Sequence, residues 1–440
     1  MYGRVSLLLG GIAVGAATAF TATHFDFFGN ANASAGDAYR ELNRFGDVYE
    51  RVRSSYVTEP SDGKLVEGAI SGMMSALDPH SRYVDAAGFQ DMQAQTSGAF
   101  SGIGLEVTIE GDRLKVVSAI DDTPAAKAGL LSGDVITAID GKSTQGMALQ
   151  QASQKMRGPE NSTVTLTIRR SGDAQPVDLK LVRDTIKLSS VRARKIGGNI
   201  TYIRIAQFSG NTFEDFLKVL KEAGADKGSG QDSAGFIIDL RNNPGGLLTE
   251  AVEVASTLIG RGEVVSTRGR GADDSLRYTA KGGGLVHTKP IIVLINGGSA
   301  SAAEIVAGAW QDHRRATILG TRSFGKGSVQ TVFPLDGNGA LVLTTARYYT
   351  PSGRSIQAKG IDPEIVVKQN VPTNLTKQDT AGGEAGLKGH LDSHGDTEQG
   401  GSPAYVPDNE KDDMQLNAAI ELLHGVRRHP SFPAGGAARR

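Results

Sequence analysis

The 440-residue chain contains no cysteine. This absence excludes disulfides, zinc sites built on thiolates and a cysteine nucleophile, although it does not identify the cellular compartment. The formal net charge is −1, so the composition gives no indication of nucleic-acid binding. No repeat of fixed period is visible. Glycine, in contrast, is abundant at 57 residues, which predicts many turns and close backbone approaches in a protein of two or three domains.

The N-terminal apolar stretch is too short and too rich in glycine to be a clear membrane span. It covers residues 5–20 and follows Arg4. This pattern predicts a secretory signal or membrane anchor within residues 1–33, with a small-x-small cleavage site at residues 31–33. We therefore expect export to a periplasmic or other extracytoplasmic location. Cleavage of the segment and its retention as an inner-membrane anchor are both open.

Residues 36–96 are predicted to be mostly helical, because apolar residues recur in two stripes at three- and four-residue spacing. The stripes consist of Leu42, Phe45, Val48, Tyr49 and Val52, and of Leu65, Ala69, Ile70, Met73, Met74 and Leu77. A turn at residues 78–81 ends the second stripe. His80 stands beside a proline there, and we interpret it as a hydrogen-bonding turn residue without a catalytic role.

Residues 97–185 change to short alternating strands separated by glycine-rich turns. A Gly-x-Gly-apolar loop is followed by Thr-Pro-Ala-Ala and by Ala-Gly-Leu-Leu-Ser-Gly-Asp-Val-Ile at residues 128–136. In the order of its segments and in their amino-acid sequence, this block resembles a PDZ domain. The resemblance implies that the loop of Gly102, Ile103, Gly104 and Leu105 presents backbone N–H groups to a peptide's terminal carboxylate, while the peptide adds as a strand to the sheet edge. Without the resemblance, the loop is only a glycine-rich hairpin.

Residues 186–370 alternate between strand and helix patterns, which predicts an α/β core. Residues 200–205, 235–240 and 290–295 are short apolar runs that we expect to form strands. The second of them leads into the loop Arg-Asn-Asn-Pro-Gly-Gly at residues 241–246.

Residues 371–440 are polar and rich in glycine, aspartate, lysine, threonine and serine, a composition that predicts a flexible tail. One short helix is expected near residues 414–426. The tail contains His390, His394, His424 and His429. We consider none of them catalytic, and no carboxylate spacing beside them defines a metal site.

A candidate nucleophile, Ser301, follows the apolar run at residues 290–295 and precedes a helix predicted to start at Ala302. At such a strand-to-helix turn, a hydroxyl meets free backbone N–H groups and the positive end of a helix dipole. The same N–H groups can stabilise an oxyanion, so the position suits a nucleophile. Ser301 and Glu304 also form Ser-x-x-Glu, and for this segment alone a helix-capping box is the commoner interpretation.

A serine nucleophile needs a base, and the histidines offer little support for that role. His313 lies roughly 18 Å along the helix from Ser301 at the standard rise, too far to contact it. Distance does not exclude His80 and His287, but neither has a suggestive context.

Lysine is an alternative base. Lys326 stands between two glycines, and burial would lower its pKa so that the amine could accept a proton. Gln330 is expected on the same face of the following strand, where it could orient the amine. Residues 320–326 also fit the opening of a P-loop. However, Gly327 replaces the magnesium-binding Ser or Thr, and a strand is predicted to follow, so we reject nucleotide binding.

Taken in order, these segments resemble the carboxy-terminal processing peptidases, which are tail-specific Ser-Lys proteases with an inserted PDZ domain. The similarity covers about residues 38–367. Besides the PDZ block, it rests on residues 77–81, 239–246, 298–304 and 324–330. The resemblance implies an exported serine endopeptidase that cleaves proteins near their C-termini through an acyl-enzyme and needs no metal or other cofactor.

The resemblance also implies individual roles. Ser301, rather than Ser299, matches the nucleophile, Lys326 the general base and Gln330 the residue that orients it. An oxyanion hole is implied at the backbone N–H groups of Ala302 and of a glycine in residues 245–246, which we take to be Gly245. The PDZ domain is expected to bind the C-terminus of a protein or peptide substrate and to regulate access.

The predicted fold is a multidomain α/β (α+β) protein with a helical N-terminal region, a β-rich PDZ domain and an α/β peptidase core. Two other functions stay open on the sequence: a PDZ-based binding or scaffold protein with an inactive peptidase core, and a hydrolase of another acyl substrate. A regulatory partner, a homo-oligomer and membrane association through the N-terminus are also left open.

Overall fold

The computed structural model describes residues 35–120, 123–170, 175–187, 189–224, 233–282, 285, 289–337, 339–373, 382–393 and 395–432. The signal or anchor predicted in residues 1–33 lies outside the described residues, as do His287 and His394. Within the described ranges, no helix is both long and apolar enough to cross a membrane. The chain divides into two compact units, Met1–Gly72 and Met73–Arg440.

The N-terminal region is helical, as the two apolar stripes predict. Helix α1 (Ala35–Ser55) carries the first stripe, and helix α2 (Asp62–Ser75) carries most of the second. The Arg53 guanidinium on α1 lies 3.3 Å from the Asp62 carboxylate at the start of α2. Strand β1 (Arg82–Val84) and helix α3 (Ala86–Ser97) follow. The Asp85 side chain caps α3 by accepting from the Gly88 N–H at 2.7 Å.

The inserted domain is a β-sheet with two helices. Strands β2 (Ala99–Gly102) and β9 (Asp184–Lys187) pair with each other, so the domain leaves and rejoins the core through one ribbon. Between them lie β3 (Leu105–Glu110), β4 (Arg113–Ala119), α4 (Pro124–Lys127), β5 (Val135–Ile139), β6 (Lys142–Ser143), α5 (Leu149–Met156), β7 (Thr163–Arg169) and β8 (Val177–Val182). The strand order is β3-β4-β5-β7-β8, with β6 on β5. Buried and accessible side chains alternate along β7, as expected of a strand with one face on a core.

The core contains two sheets. The first has the order β10 (Val191–Ile196), β11 (Ile200–Ile205), β12 (Gly235–Asp239), β15 (Ile291–Ile295), β16 (Thr317–Gly320) and β19 (Ile365–Val366), and it is parallel from β11 onwards. The second is antiparallel and is formed by β1, β13 (Arg261–Arg268), β14 (Leu276–Lys281), β17 (Ser328–Leu335) and β18 (Gly339–Tyr349). The remaining helices are α6 (Thr212–Glu222), α7 (Leu248–Ile259), α8 (Ala302–Asp312) and α9 (Met414–Leu423). Short 3₁₀ turns occur at Ala272–Asp274, Glu384–Gly386 and Glu410–Asp412.

The central strands of the parallel sheet are apolar on both faces. In β12 and β15, Ile238 and Val293 pack into a cluster with α6, α7 and α8, whereas Ile237 and Ile292 belong to a second cluster. Successive residues of a strand point to opposite faces, so these two clusters lie on opposite sides of the sheet. A sheet with two apolar faces needs a cover on each side.

The C-terminal segment provides the second cover. Helix α9 buries Leu416, Ala418, Ala419 and Leu422 against that face. The Asp413 carboxylate caps α9 by accepting from the Leu416 N–H at 3.0 Å. The structure thus differs from the predicted flexible tail, because the described residues between 382 and 432 run along the core and include buried side chains. A few apolar side chains suffice to dock a mostly polar segment when the face that they cover would otherwise meet water.

Candidate active site

Ser301 stands at the N-terminus of α8, after the turn that follows β15. Its backbone has φ 53° and ψ −113°, a strained conformation for a residue other than glycine. The Ser301 hydroxyl forms no cap hydrogen bond with the described residues of the helix, and the Glu304 N–H bonds instead to the Ser301 carbonyl oxygen at 2.9 Å. Of the capping box, the bond from the Ser301 N–H to the Glu304 carboxylate is therefore formed, while the Ser301 hydroxyl takes no part in it.

Ser299, the neighbouring serine, has a different environment. It is fully buried, and its hydroxyl donates to the Leu240 carbonyl oxygen at 2.8 Å. The same hydroxyl oxygen accepts from the Asn296 N–H at 3.0 Å. Ser299 thus ties the turn after β15 to the end of β12, and its hydroxyl is committed to structure.

Glu304 connects the Ser301 turn with the loop that carries Lys326. Its carboxylate is fully buried, and one oxygen accepts from the N–H groups of both Ser301, at 2.7 Å, and Lys326, at 2.9 Å. The other oxygen accepts from the Gly325 N–H at 2.7 Å and from the Ser323 hydroxyl at 2.5 Å. Burial raises the pKa of Glu304 to about 7 in spite of these four donors. A single carboxylate oxygen therefore holds the backbones of Ser301 and Lys326 side by side. Ser-x-x-Glu predicts the bond from the Ser301 N–H, as half of a capping box, but not the bond from the Lys326 N–H.

Lys326 lies in a loop that depends on its two glycines. Gly325 has φ 95°, and a Cβ on Gly327 would lie 2.3 Å from the Gln357 backbone nitrogen. Burial lowers the pKa of Lys326, and Arg82 lowers it further, while Glu384, Glu304 and Asp78 oppose the shift. The environment thus favours a neutral amine. In this conformation no hydrogen bond joins the Lys326 amine to the Ser301 hydroxyl.

Gln330 is held within a polar network on β17 and β18. The pairing of β17 with β18 shifts between Val329 and Gln330, and the residue left without a pairing partner, Thr345, lies on β18, so residues two apart on β17 still share a face. The Gln330 amide nitrogen donates to the Ser328 hydroxyl at 3.0 Å and to the Thr344 hydroxyl at 3.2 Å. Thr344 in turn donates to the Asp78 carboxylate at 3.1 Å. The Gln330 carbonyl oxygen is the part of this side chain that can accept from an amine.

Gly245, in the loop after β12, lies against the nucleophile turn. A Cβ at Gly245, where φ is 101°, would stand 2.9 Å from the Ser301 Cβ and 3.0 Å from the Ala302 backbone nitrogen. Only glycine fits there without a shift of the backbone. In this conformation the Gly245 N–H donates to the Asn243 side-chain oxygen at 2.9 Å. The oxyanion hole at Gly245 and Ala302 stays a prediction.

Two contacts from the C-terminal segment reach the site and are not predicted by the sequence pattern. The Arg241 guanidinium, 2% exposed, pairs with the Asp239 carboxylate at 2.7 Å and with Asp413 at 2.8 Å. The fully buried Glu384 accepts from the His80 ring at 2.8 Å. The His80 backbone N–H does form a turn bond, to the Asp78 carboxylate at 2.8 Å. The imidazole, however, belongs to the surroundings of the lysine loop.

The glycine loop of the inserted domain leads directly into β3, which is the first strand of its sheet. Gly102 ends β2, Ile103 is buried in the domain core, and Leu105 begins β3. Gly104 has φ 72°, and a Cβ there would lie 2.4 Å from the Thr123 side chain. The loop carbonyls of Ile103 and Gly104 accept backbone N–H groups at 2.9 Å, which fixes the loop beside α4.

Three family models match the chain. The peptidase family S41 model matches residues 199–367, and a PDZ domain model matches residues 115–170. The model of the activating protease CtpB N-terminal domain matches residues 12–88. These matches follow the predicted order of a helical N-terminal region, a PDZ domain and a peptidase core, and the predicted fold class is confirmed.

Relatives match most of the chain. It is 54% identical over 398 residues to the carboxy-terminal-processing protease of Bartonella bacilliformis, which covers 90% of this chain and 91% of the relative. It is 38% identical over 330 residues to the carboxyl-terminal-processing protease of Synechocystis, covering 72% of this chain and 75% of the relative. The solved photosystem II D1 C-terminal processing protease is 30% identical, covering 76% of this chain and 92% of that one, with a TM-score of 0.42. The chain belongs to the carboxy-terminal processing proteases of peptidase family S41.

Proposed function

We propose that this chain is an exported serine endopeptidase that cleaves proteins near their C-termini, with Ser301 as nucleophile, Lys326 as general base and Gln330 as the residue that orients the lysine. The observation that supports it most is the Glu304 carboxylate oxygen shared by the backbone N–H groups of Ser301 and Lys326. The uncapped Ser301 hydroxyl and the lowered pKa of Lys326 support the same assignment. Acyl transfer needs a nucleophile whose proton a nearby base can accept, and a lowered pKa increases the fraction of the lysine amine that is able to accept it.

In the proposed reaction, neutral Lys326 accepts the hydroxyl proton while the Ser301 oxygen bonds to the scissile carbonyl carbon. Backbone N–H groups of Ala302 and Gly245 stabilise the oxyanion, and for this the Gly245 N–H has to leave Asn243. Losing one such donor typically raises the barrier by about 3 kcal/mol. The intermediate then breaks its C–N bond, and the leaving amine takes the proton from Lys326. The neutral Lys326 amine then takes a proton from water as the water oxygen bonds to the acyl carbon. The ester C–O bond breaks, and the Lys326 ammonium returns the proton to the Ser301 oxygen.

The PDZ domain is proposed to capture the substrate's C-terminus. The terminal carboxylate of the substrate would bind the loop of residues 102–105, and the substrate backbone would extend the sheet as a strand beside β3. The position of this loop at the start of the sheet's first strand supports the proposal. The ribbon of β2 and β9 supports domain limits near residues 97 and 185, between helical residues 36–96 and a core of residues 186–370.

Export is proposed from the sequence pattern of residues 1–33, where a basic residue precedes a short apolar run. A periplasmic or other extracytoplasmic location follows from it. A regulatory partner, a homo-oligomer and membrane association are further expectations of the resemblance.

The assignment is tested with Ser301→Ala and Lys326→Ala, assayed on a denatured protein mixture with mass spectrometry of the products. Each variant should lose at least about 10⁴-fold in kcat and keep its fold, because the two groups act as a unit. In the parent, kcat/KM should rise with pH through an acid limb below the ordinary lysine pKa of about 10.4. Lys218→Ala is the matched control, since Lys218 is exposed on α6 and belongs to neither the nucleophile turn nor the lysine loop.

Full turnover by Lys326→Ala would refute the lysine as base. A parent protein that hydrolyses small esters but leaves every peptide bond intact would indicate another acyl substrate. If the folded parent cleaves neither and still binds C-terminal peptides, the scaffold alternative is correct.

A further inference from the structure

The C-terminal segment contacts the lysine loop through its backbone. At the start of the 3₁₀ turn Glu384–Gly386, the Glu384 N–H donates to the Phe324 carbonyl oxygen at 2.9 Å. The segment is closed on itself nearby, where the Gly401 N–H donates to the Gly382 carbonyl at 3.0 Å. Phe324 stands two residues before Lys326, so one end of the lysine loop is bonded to Glu384.

The Glu384 side chain supports the other end of the same loop. Its carboxylate accepts from the Gln357 amide nitrogen at 2.9 Å, and the Gln357 oxygen accepts from the Gly327 N–H at 3.0 Å. Gly327 directly follows Lys326. One buried residue therefore braces the loop on both sides of the lysine, directly at Phe324 and through Gln357 at Gly327.

A brace alone does not require an acid. Burying a carboxylate is unfavourable unless its charge is compensated, and a glutamine could accept from Gln357 at the same place. Glu384 is fully buried, and His80 is the nearest ionisable partner, at 2.8 Å. A carboxylate rather than an amide at position 384 has a physical reason if its charge interacts with a neighbouring cation such as the Lys326 ammonium.

We propose that Glu384 is a positioning residue for Lys326, whose loop it holds in place on both sides, directly at Phe324 and through Gln357 at Gly327. This inference rests on the proposed role of Lys326 as general base. Among the charged groups around the amine, Glu384 is the strongest influence that raises the pKa of Lys326, ahead of Glu304 and Asp78. Arg82 and burial act in the opposite direction. The C-terminal segment thereby opposes part of the pKa depression that burial causes.

The test is the pH profile of kcat/KM for Glu384→Gln with a peptide substrate. Removing the anion destabilises the lysine ammonium, so the acid limb should move to lower pH, by about 0.5 to 1 unit. In Glu384→Ala, which also removes the brace, kcat should fall about 10- to 100-fold while KM changes less than about twofold. Glu398→Gln is a matched control, because Glu398 pairs with His390 at 3.1 Å in the same segment. Its profile should coincide with that of the parent.

An unshifted acid limb in a folded Glu384→Gln variant overturns the proposal, as does an unchanged kcat in Glu384→Ala. If Glu384→Gln does not fold, Glu384→Asp keeps the charge and shortens the reach. Its kcat should fall without a shift of the limb, and a parental kcat would overturn the proposal. Lys326→Ala is measured in parallel. Activity retained there refutes the proposed function itself, whereas a parent that depends on Lys326 but shows no Glu384 effect refutes only this inference.

Discussion

Two loops at the same edge of the parallel sheet are stabilised in different ways. The nucleophile turn, residues 296–301, follows β15 and is tied to the end of β12 through Ser299 and through the Asn242–Asn296 pair. The lysine loop, residues 321–327, follows β16 and is supported by Glu304, Gln357 and Glu384. The first loop is tied mainly to the end of the adjacent strand β12, whereas the second is braced by two buried carboxylates, one of them Glu384 in the C-terminal segment. The nucleophile turn can be recognised from a local pattern because its strand, glycines and helix start are contiguous in sequence. The bonds that position its base join separate segments of the chain.

Among the variants that test this difference between the two loops, Glu304→Gln should change stability and kcat most, because Glu304 joins the two loops. A glutamine offers one acceptor oxygen, so its NH₂ group would face two of the four present donors. Each unpaired buried donor typically costs about 1–3 kcal/mol. The unfolding free energy should fall by about 2–5 kcal/mol, and kcat by about 100-fold or more as Ser301 and Lys326 lose their common anchor. Denaturant unfolding and single-turnover kinetics measure the two quantities.

The same variant should change the pH dependence of stability. In the folded protein the pKa of Glu304 is raised to about 7 from an ordinary value of 4.5. The contribution of Glu304 to the free energy of unfolding is fully present below pH 4.5, decreases as the pH rises to about 7 and is constant above that pH. Glu304→Gln should lack this decrease, whereas the exposed Glu222→Gln should retain it. An unaltered profile in Glu304→Gln would show that another group titrates.

The strand–turn–helix around Ser301 could be predicted because every part of the signal is contiguous. The apolar run, the glycines and the helix start all lie within residues 290–305. The same holds for the fold class, which follows from the order of strand and helix patterns. Glu304, in contrast, looks like a simple cap in sequence, since nothing local indicates that Lys326 folds back onto it.

In the tail, the sequence pattern predicted the short helix near residues 414–426, which is α9, but not the packing of that segment on the core. Averaged composition hides the apolar side chains of α9, although the two apolar faces of β12 and β15 imply that a cover must exist. His80 and Glu384 are 304 positions apart, and no periodic pattern in the sequence could predict that their side chains are in contact. Long-range pairs of this kind follow only from the topology of the chain.

A second prediction tests how strongly the tail contributes to the fold. Leu422 on α9 is buried against the sheet, so Leu422→Ala should lower the unfolding free energy by about 2–5 kcal/mol. Glu421→Ala, an exposed neighbour on the same helix, should change it by less than about 0.5 kcal/mol. Equal values for the two variants would mean that α9 does not cover the sheet in solution. Chemical denaturation followed by tryptophan fluorescence at Trp310 provides the measurement.

The smallest expected effect comes from Gly297→Ala, which disturbs one of the contacts between the tail and the nucleophile turn. A Cβ at Gly297 would lie 1.8 Å from the Ser402 carbonyl oxygen, so one of the two backbones must move. The bond from the Gly297 N–H to the Pro403 carbonyl, 3.2 Å, should break. Overpacking of this kind typically costs about 1–3 kcal/mol. Gly400→Ala is the matched control, since nothing lies within 4 Å of its Cβ position.

Despite this loss of stability, kcat of Gly297→Ala should stay close to the parental value. The turn keeps its link from Ser299 to Leu240, and Glu304 still holds the Ser301 N–H. Limited proteolysis should instead cut the segment at residues 400–405 faster than in Gly400→Ala, because the segment keeps the bond from the Asn296 amide to Ala404 but loses the one from Gly297 to Pro403. If kcat falls as far as in Glu384→Ala at constant KM, the nucleophile turn depends on the tail as much as the lysine loop does. The contrast between a nucleophile turn held mainly by the end of β12 and a lysine loop braced by the C-terminal segment would then be wrong.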